Sequence, residues 1–299
     1  MIKNRPNILF FFPDQHRFDW IGDNPNIPVR TPNIDKLGEQ GVRFTQAITP
    51  SPLCSPARAC LAAGKEYARC RVPGNNDDYP LDQTTFYTLL RESGYHTAAC
   101  GKFDLNKGSF GWGLDGKNLM QEWGFSDGIN NEGKMDGVQV MLMREKEPTG
   151  PYNAFLAERG LVDEHSQDLF YRYIKSAIFN GNWASTYTTS LPDDVYCDNW
   201  LAQNGLDLME KFPEGKPWFL QVNFNGPHQP LDITDEMKTW YEGVDFPQPN
   251  DEESRTEPYA PYGFPYFKQL KKGWHEPGHP GKPHTEQQNN QVRQNYSAM

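Results

Sequence analysis

The chain has 299 residues, with 29 Lys and Arg against 39 Asp and Glu, a formal net charge of −10. That excess of acid excludes long-range attraction to nucleic acid or to an anionic lipid surface, so any anion the chain handles needs a local positive site. Hydrophobic residues at 36% allow a sizeable core, and no run of about 20 apolar residues offers a membrane-spanning helix. Five cysteines, an odd number at irregular spacings, form neither a CxxC pair nor a Cys/His cluster of zinc type. Cys60, Cys70, Cys100 and Cys197 read as reduced core residues. The N-terminus runs straight into a strand-like segment with no signal-peptide pattern. A cytoplasmic location is expected for the chain as written, and a periplasmic or secreted one for a chain whose signal has been removed.

In chain order, residues 7–12 (NILFFF) are a short apolar run stopped by Pro13, the pattern of a buried parallel strand. Thr31 and Pro32 open a helix that Gly41 ends. Residues 42–48 alternate as a strand does. Ser55 and Pro56 fit an N-cap and first helical position, for a helix running through Arg58 and Leu61 to Gly64. A helix is expected over 86–91, a small-residue strand over 97–100, a helix over 193–209 and a strand over 218–224. Strands alternating with helices predict an α/β fold, a mostly parallel central sheet flanked by helices. Residues 106–150 are glycine-rich without a period, and 245–286 are rich in Pro, Gly, His and Glu. Both read as loop excursions.

In open α/β sheets ligands bind beyond the carboxyl ends of the strands. The first strand is followed by Asp14, Gln15 and His16, the 97–100 strand by Lys102 and Asp104, and the last strand by His228. Each alone reads more readily as a solvated loop residue; together they bring a carboxylate, an ammonium and an imidazole to one edge. Cys54 sits at a helix start, where free N–H groups and the helix dipole suit an anion, and Arg58 lies one turn on.

The runs TPNIDKLGEQGVRF (31–44) and PLCSPARACLAAGK (52–65), with their Cys-x-Pro-x-Arg core, closely resemble the type I sulfatase family of the alkaline-phosphatase-like superfamily. PNILFFFPDQ (6–15), SGYHTAACGK (93–102) and GPHQP (226–230) match in the same order. The resemblance implies that Cys54 is oxidised to formylglycine by a formylglycine-generating enzyme, and that a divalent cation, calcium, is held by Asp14, Gln15 and residue 54. It implies further that Arg58 steadies the deprotonated diol and that Lys102 bridges nucleophile and sulfate. His228 contacts the sulfate or protonates the leaving alcohol. The substrate would be a sulfate ester, with sulfated sugars as the broad default, and neither nucleic acid nor membrane is an expected partner. Trp112, Trp123, Trp240 and Trp274 are able to stack on a sugar ring, although packing against a loop is the commoner role for each.

The chain departs from the pattern in three places. Gln15 stands where the family often has a second Asp. Asp104 stands where the family reads His in Gly-Lys-x-His, and is carried here as a catalytic residue able to accept a proton. The family's downstream Ser/Thr-Asp-His/Asn-Gly metal motif does not occur in 232–299, so residues 1–299 resemble the N-terminal part of the catalytic domain, without its smaller C-terminal subdomain. Three ligands are too few for calcium, and the 299-residue chain alone is expected to bind metal weakly and turn over slowly or not at all. A phosphonate or phosphate diester hydrolase of the same superfamily, and a non-catalytic sulfatase-like fragment, are the competing readings.

Overall fold

The computed structural model describes residues 5–144, 147–170, 186–248 and 285–299. Of the excursion expected over 245–286, residues 249–284 lie outside the described residues, and with them Trp274. The elements in order are β1 (Ile8–Phe12), α1 (Pro32–Gln40), α2 (Cys54–Ala63), α3 (Phe86–Glu92), β2 (His96–Lys102), β3 (Asp127–Asn131), α4 (Lys134–Met143), α5 (Pro151–Glu158), α6 (Val162–Gln167), β4 (Thr186–Thr188), α7 (Cys197–Met209), β5 (Trp218–Asn223), β6 (Leu231–Ile233), α8 (Asp235–Tyr241) and α9 (Glu286–Ala298). No helix among the described residues is long and apolar enough to cross a membrane.

The chain divides into two units, one of Met1–Gln15, Phe44–Glu164 and Leu191–Gly226, the other of His16–Arg43, His165–Ser190 and Pro227–Met299. The first holds a four-stranded, all-parallel sheet in the order β1-β5-β2-β3. The strands side by side end together: Phe12 and Gly101 both register with Asn223, and Lys102 registers with Asn131. Side-chain alternation splits β2 and β5 between two layers. Ala99 and Phe219 face a core with Ala59, Ala62, Tyr87, Phe103 and Phe125, while Ala98, Cys100, Leu220 and Val222 face Leu208 of α7. The small residues of β2 let helices pack closely on both faces. These features are the α/β arrangement expected from the sequence.

Some local expectations are corrected. Residues 42–48 form no strand; Val42, Phe44 and Ile48 are exposed, and no strand among the described residues pairs with them. Among the described residues β1 ends the sheet on one side, and its Leu9 and Phe11 are exposed, where the sequence pattern expects a buried strand. The stretch 106–150, read as an excursion, instead supplies β3 and α4 and buries Trp112, Trp123 and Phe125 completely. Trp112 and Trp123 therefore pack in the protein and are not surfaces for a sugar. The helix expected over 193–209 begins only at Cys197, after a short 3-10 turn.

Glu132 directly follows β3 and is buried, its carboxylate accepting from the Asn153 N–H at 2.8 Å and the Tyr152 N–H at 3.4 Å at the start of α5. Gly150 beside it leaves no room for a side chain, since a Cβ there would lie 2.7 Å from Glu132 Oε1 and closer still to Oε2. Burial outweighs these hydrogen bonds and raises the carboxyl pKa to about 7. A raised folded-state pKa means that this group's stabilising contribution is full at acid pH and is lost as pH rises from about 4.5, its ordinary value, through about 7. The shift corresponds to about 3 kcal/mol. Denaturation midpoints measured from pH 4.5 to 8 are expected to fall across this window and to fall less in Glu132→Gln. An unchanged slope in that variant would refute the assignment.

In the second unit β4 and β6 pair in parallel, and α8 and α9 pack together with α9 also against β6. A capping box starts α9: Thr285 Oγ1 accepts from the Gln288 N–H at 3.2 Å, and Gln288 Oε1 accepts from the Thr285 N–H at 2.9 Å. Trp20 stacks on Phe246 at 5.7 Å and donates to Ser297 Oγ at 2.7 Å, joining the segment after β1 to the last helix.

Candidate active site

The carboxyl ends of β1 and β2 and the first two turns of α2 bring five of the expected residues together in the first unit, Asp14, Cys54, Arg58, Lys102 and Asp104. Cys54 is the first residue of α2, two positions earlier in the helix than the Ser55-Pro56 cap pattern suggests. Pro56 did not fix the boundary because all first-turn positions lack an intrahelical N–H bond and tolerate proline. The Ser55 hydroxyl is buried without a hydrogen bond, and the cap is supplied from outside: Asn75 Oδ1 accepts from the Ser55 N–H at 3.1 Å. The helix stops at Gly64 in the left-handed conformation, φ +60°.

Asp14 and Lys102 are buried, and Lys102 Nζ lies 2.5 Å from Asp14 Oδ2 and 3.7 Å from Cys54 Sγ. Arg58 Nη2 lies 3.3 Å from the same Asp14 oxygen. Its guanidinium sits 4.9 Å over the Phe12 ring and donates to the Lys102 carbonyl, so both strands hold it. The Asp14 N–H donates to the Gly226 carbonyl at 3.0 Å. The loop after β5 is itself fixed by Asp198, which accepts from the Asn225 and Gly226 N–H groups at 2.7 and 2.8 Å.

Asp104 is buried two residues beyond Lys102 in a left-handed conformation, φ +52°, with its carboxylate 3.3 Å from Lys102 Nζ and 3.5 Å from Lys107 Nζ. Burial opposes charge on both partners, but Lys102 and Lys107 outweigh it at Asp104 and hold its pKa below the ordinary value. Asp104 and Asp14 likewise outweigh it at Lys102 and raise its pKa. The pair is ionised at neutral pH. At Cys54 burial is the largest effect and pushes the thiol up, with Asp14 and Asp104 adding to the rise and Lys102 opposing it. As a cysteine, this residue stays protonated and is a poor nucleophile.

Asp14, Cys54 and Asp104 each offer one ligand atom, all within 4.8 Å of one another. Asp104 Oδ2 is buried and makes no hydrogen bond, only ion-pair contacts. Gln15 stands next to Asp14 with φ +61°. Two carboxylates and an amide suit a hard divalent cation, whereas a thiolate does not. The set fits part of a calcium shell provided that residue 54 presents oxygen.

His228 lies in the second unit, half-buried, with Nδ1 2.6 Å from the Gln229 carbonyl. Sequence reading missed Asn75, Lys107, Asp136 and Asp198. Asn75, Asp136 and Asp198 lie far along the chain from the residues they serve, and no motif marks any of the four.

A parallel sheet with a cysteine on a helix start, faced by a buried lysine, arginine and aspartate, is the arrangement of a sulfatase. The family model for sulfatases matches residues 6–299, and the chain belongs to that family. It is 30% identical over 270 residues to the choline-sulfatase of Rhizobium meliloti, covering 79% of this chain and 49% of that protein. A shorter match, 35% over 101 residues, joins it to the N-acetylglucosamine-6-O-sulfatase of Bacteroides thetaiotaomicron, covering 34% of this chain and 18% of the relative. The phosphonate monoester hydrolase of Agrobacterium radiobacter shares the fold, with a TM-score of 0.69 at 20% identity over 99% of this chain and 56% of that one. The chain spans about half the length of the curated relatives it matches over most of its own length.

Proposed function

We propose that the whole protein hydrolyses sulfate esters of a sulfated-sugar class, with residue 54 as nucleophile after its conversion from cysteine to formylglycine by a separate generating enzyme. Residues 1–299 are, in this reading, the N-terminal part of the catalytic domain. The observation that carries it is Cys54 on the first turn of α2, beside Lys102, Arg58 and Asp14, with its thiol held protonated. A site built to use a thiol would lower that pKa; a site built around an oxygen made from the thiol has no need to. The activities for which the two relatives are named, on choline sulfate and on a sulfated amino sugar, favour the sulfate ester.

The hydrated aldehyde carries two hydroxyls on one carbon. One hydroxyl, its proton lost to solvent, attacks sulfur as the alkoxide, the S–O bond to the alcohol breaks, and a general acid protonates the leaving oxygen, the role the resemblance assigns to His228. The sulfate now bonded to residue 54 leaves when the second hydroxyl loses its proton to Asp104 and the C=O re-forms. Lys102 and Arg58 balance the charge that builds on the sulfate oxygens and on the diol. Asp14, Gln15 and residue 54 would hold part of the shell of a calcium ion, which would supply Lewis acidity at the diol.

The test is the full-length protein coexpressed with a formylglycine-generating enzyme. The peptide holding residue 54 is sequenced by mass spectrometry, and rates are compared on an aryl sulfate and an aryl phosphonate monoester. An aldehyde at 54 with the sulfate preferred supports the reading. Preference for the phosphonate moves the protein to the other branch of the superfamily, and an unmodified thiol without turnover makes it non-catalytic.

A further inference from the structure

Asp104 puts a buried carboxylate into a site read above as binding an anionic ester, and its charge needs an answer. Lys102 alone cannot give one, because its ammonium also serves Asp14 at 2.5 Å and faces residue 54. The second cation is Lys107, whose side chain is largely buried and whose Nζ lies 3.5 Å from Asp104 Oδ2. It is fixed from the far side by Asp136 Oδ2 at 2.6 Å, in the first turn of α4. The start of that helix is packed on the lysine stem: a Cβ on Gly133 would lie 3.3 Å from Lys102 Cε and 2.8 Å from Asp136 Oδ2. Three cations, Arg58, Lys102 and Lys107, thus alternate with three carboxylates, Asp14, Asp104 and Asp136. Without Lys107 the Asp104 carboxylate would fall wholly on Lys102 and draw its ammonium from Asp14 and residue 54.

We propose that Lys107, anchored by Asp136, is a positioning residue that shares the Asp104 carboxylate and so keeps the Lys102 ammonium directed at Asp14 and residue 54. The inference rests on the sulfate-ester reading for the purpose of that direction, but its test does not depend on turnover. Inorganic sulfate is titrated calorimetrically into the full-length protein as wild type, Lys107→Met, Lys107→Arg, Asp104→Asn and the double variant Asp104→Asn with Lys107→Met. Lys107→Met is expected to weaken sulfate binding about 10-fold and Lys107→Arg to restore it within about 3-fold, whereas in the Asp104→Asn background Lys107→Met changes it less than about 2-fold. Asp136→Asn, which frees the anchor and leaves the lysine, moves affinity the same way by a smaller factor.

An equal loss in both backgrounds would mean that Lys107 touches the anion directly or only supports the fold, and overturns the inference. So does failure of arginine to rescue, or a wild type that binds no sulfate. Aryl sulfate kinetics run alongside separate the two claims. Turnover without the coupling keeps the proposed function and removes Lys107; the coupling without turnover does the reverse.

Discussion

Cys54→Ala is expected to lower sulfate-ester turnover of the full-length protein by at least about 10⁴-fold, the scale seen when a covalent nucleophile is removed. Its melting temperature should stay within about 2 °C of wild type, because the residue is only half-buried and a helix start tolerates alanine. Cys54→Ser makes a sharper claim. Serine keeps one oxygen at the same atom position, so the first displacement remains open, but it lacks the second hydroxyl whose proton loss expels sulfate. A burst of alcohol release limited to one equivalent, followed by arrest with a sulfuryl group retained on the protein, is the expected outcome in stopped-flow and intact-mass measurements. Alanine that retains more than a hundredth of wild-type turnover would remove residue 54 from the chemistry.

The parts of this arrangement that a sequence can announce are those encoded locally. The apolar run of β1, the small residues of β2 and the Gly64 stop of α2 each carry their own signal, and the strand ends then place Asp14 and Lys102 without further information. The third neighbour of that sheet was illegible for a physical reason. β3 reads DGINN, a segment of poor strand propensity, and takes its conformation from the partner it pairs with, Ala98 to Lys102. The same holds at the site. Cys54, Arg58 and Lys102 belong to motifs because their chemistry demands fixed identities. Lys107 and Asp136 matter through a contact 29 residues apart, which exists only once the first turn of α4 meets the loop after β2. The departure at Asp104 was visible in the sequence, but the second lysine that balances it was not.

Lys102→Met is the second large effect, and it reaches both stability and chemistry. The substitution keeps the length of the side chain and deletes one buried charge lying 2.5 Å from Asp14 and 3.3 Å from Asp104. Breaking a buried pair costs about 3–5 kcal/mol when the remaining charge has no other partner. Here Asp14 keeps Arg58 at 3.3 Å and Asp104 keeps Lys107 at 3.5 Å, so the loss should fall to about 2–3 kcal/mol. On sulfate esters kcat/KM should drop about 10²–10³-fold, the usual result of deleting one preorganised group that meets developing charge. Lys102→Arg separates the two consequences. It returns the charge and so recovers much of the stability, but a planar guanidinium cannot occupy the point between Asp14 Oδ2 and residue 54 that the ammonium fills, and turnover should remain low. Urea midpoints and steady-state kinetics on the same three proteins decide it. Equal stability of wild type and Lys102→Met would show that Arg58 and Lys107 already neutralise both carboxylates, leaving Lys102 a catalytic role only. Full turnover in Lys102→Arg would show that charge alone, without its position, suffices.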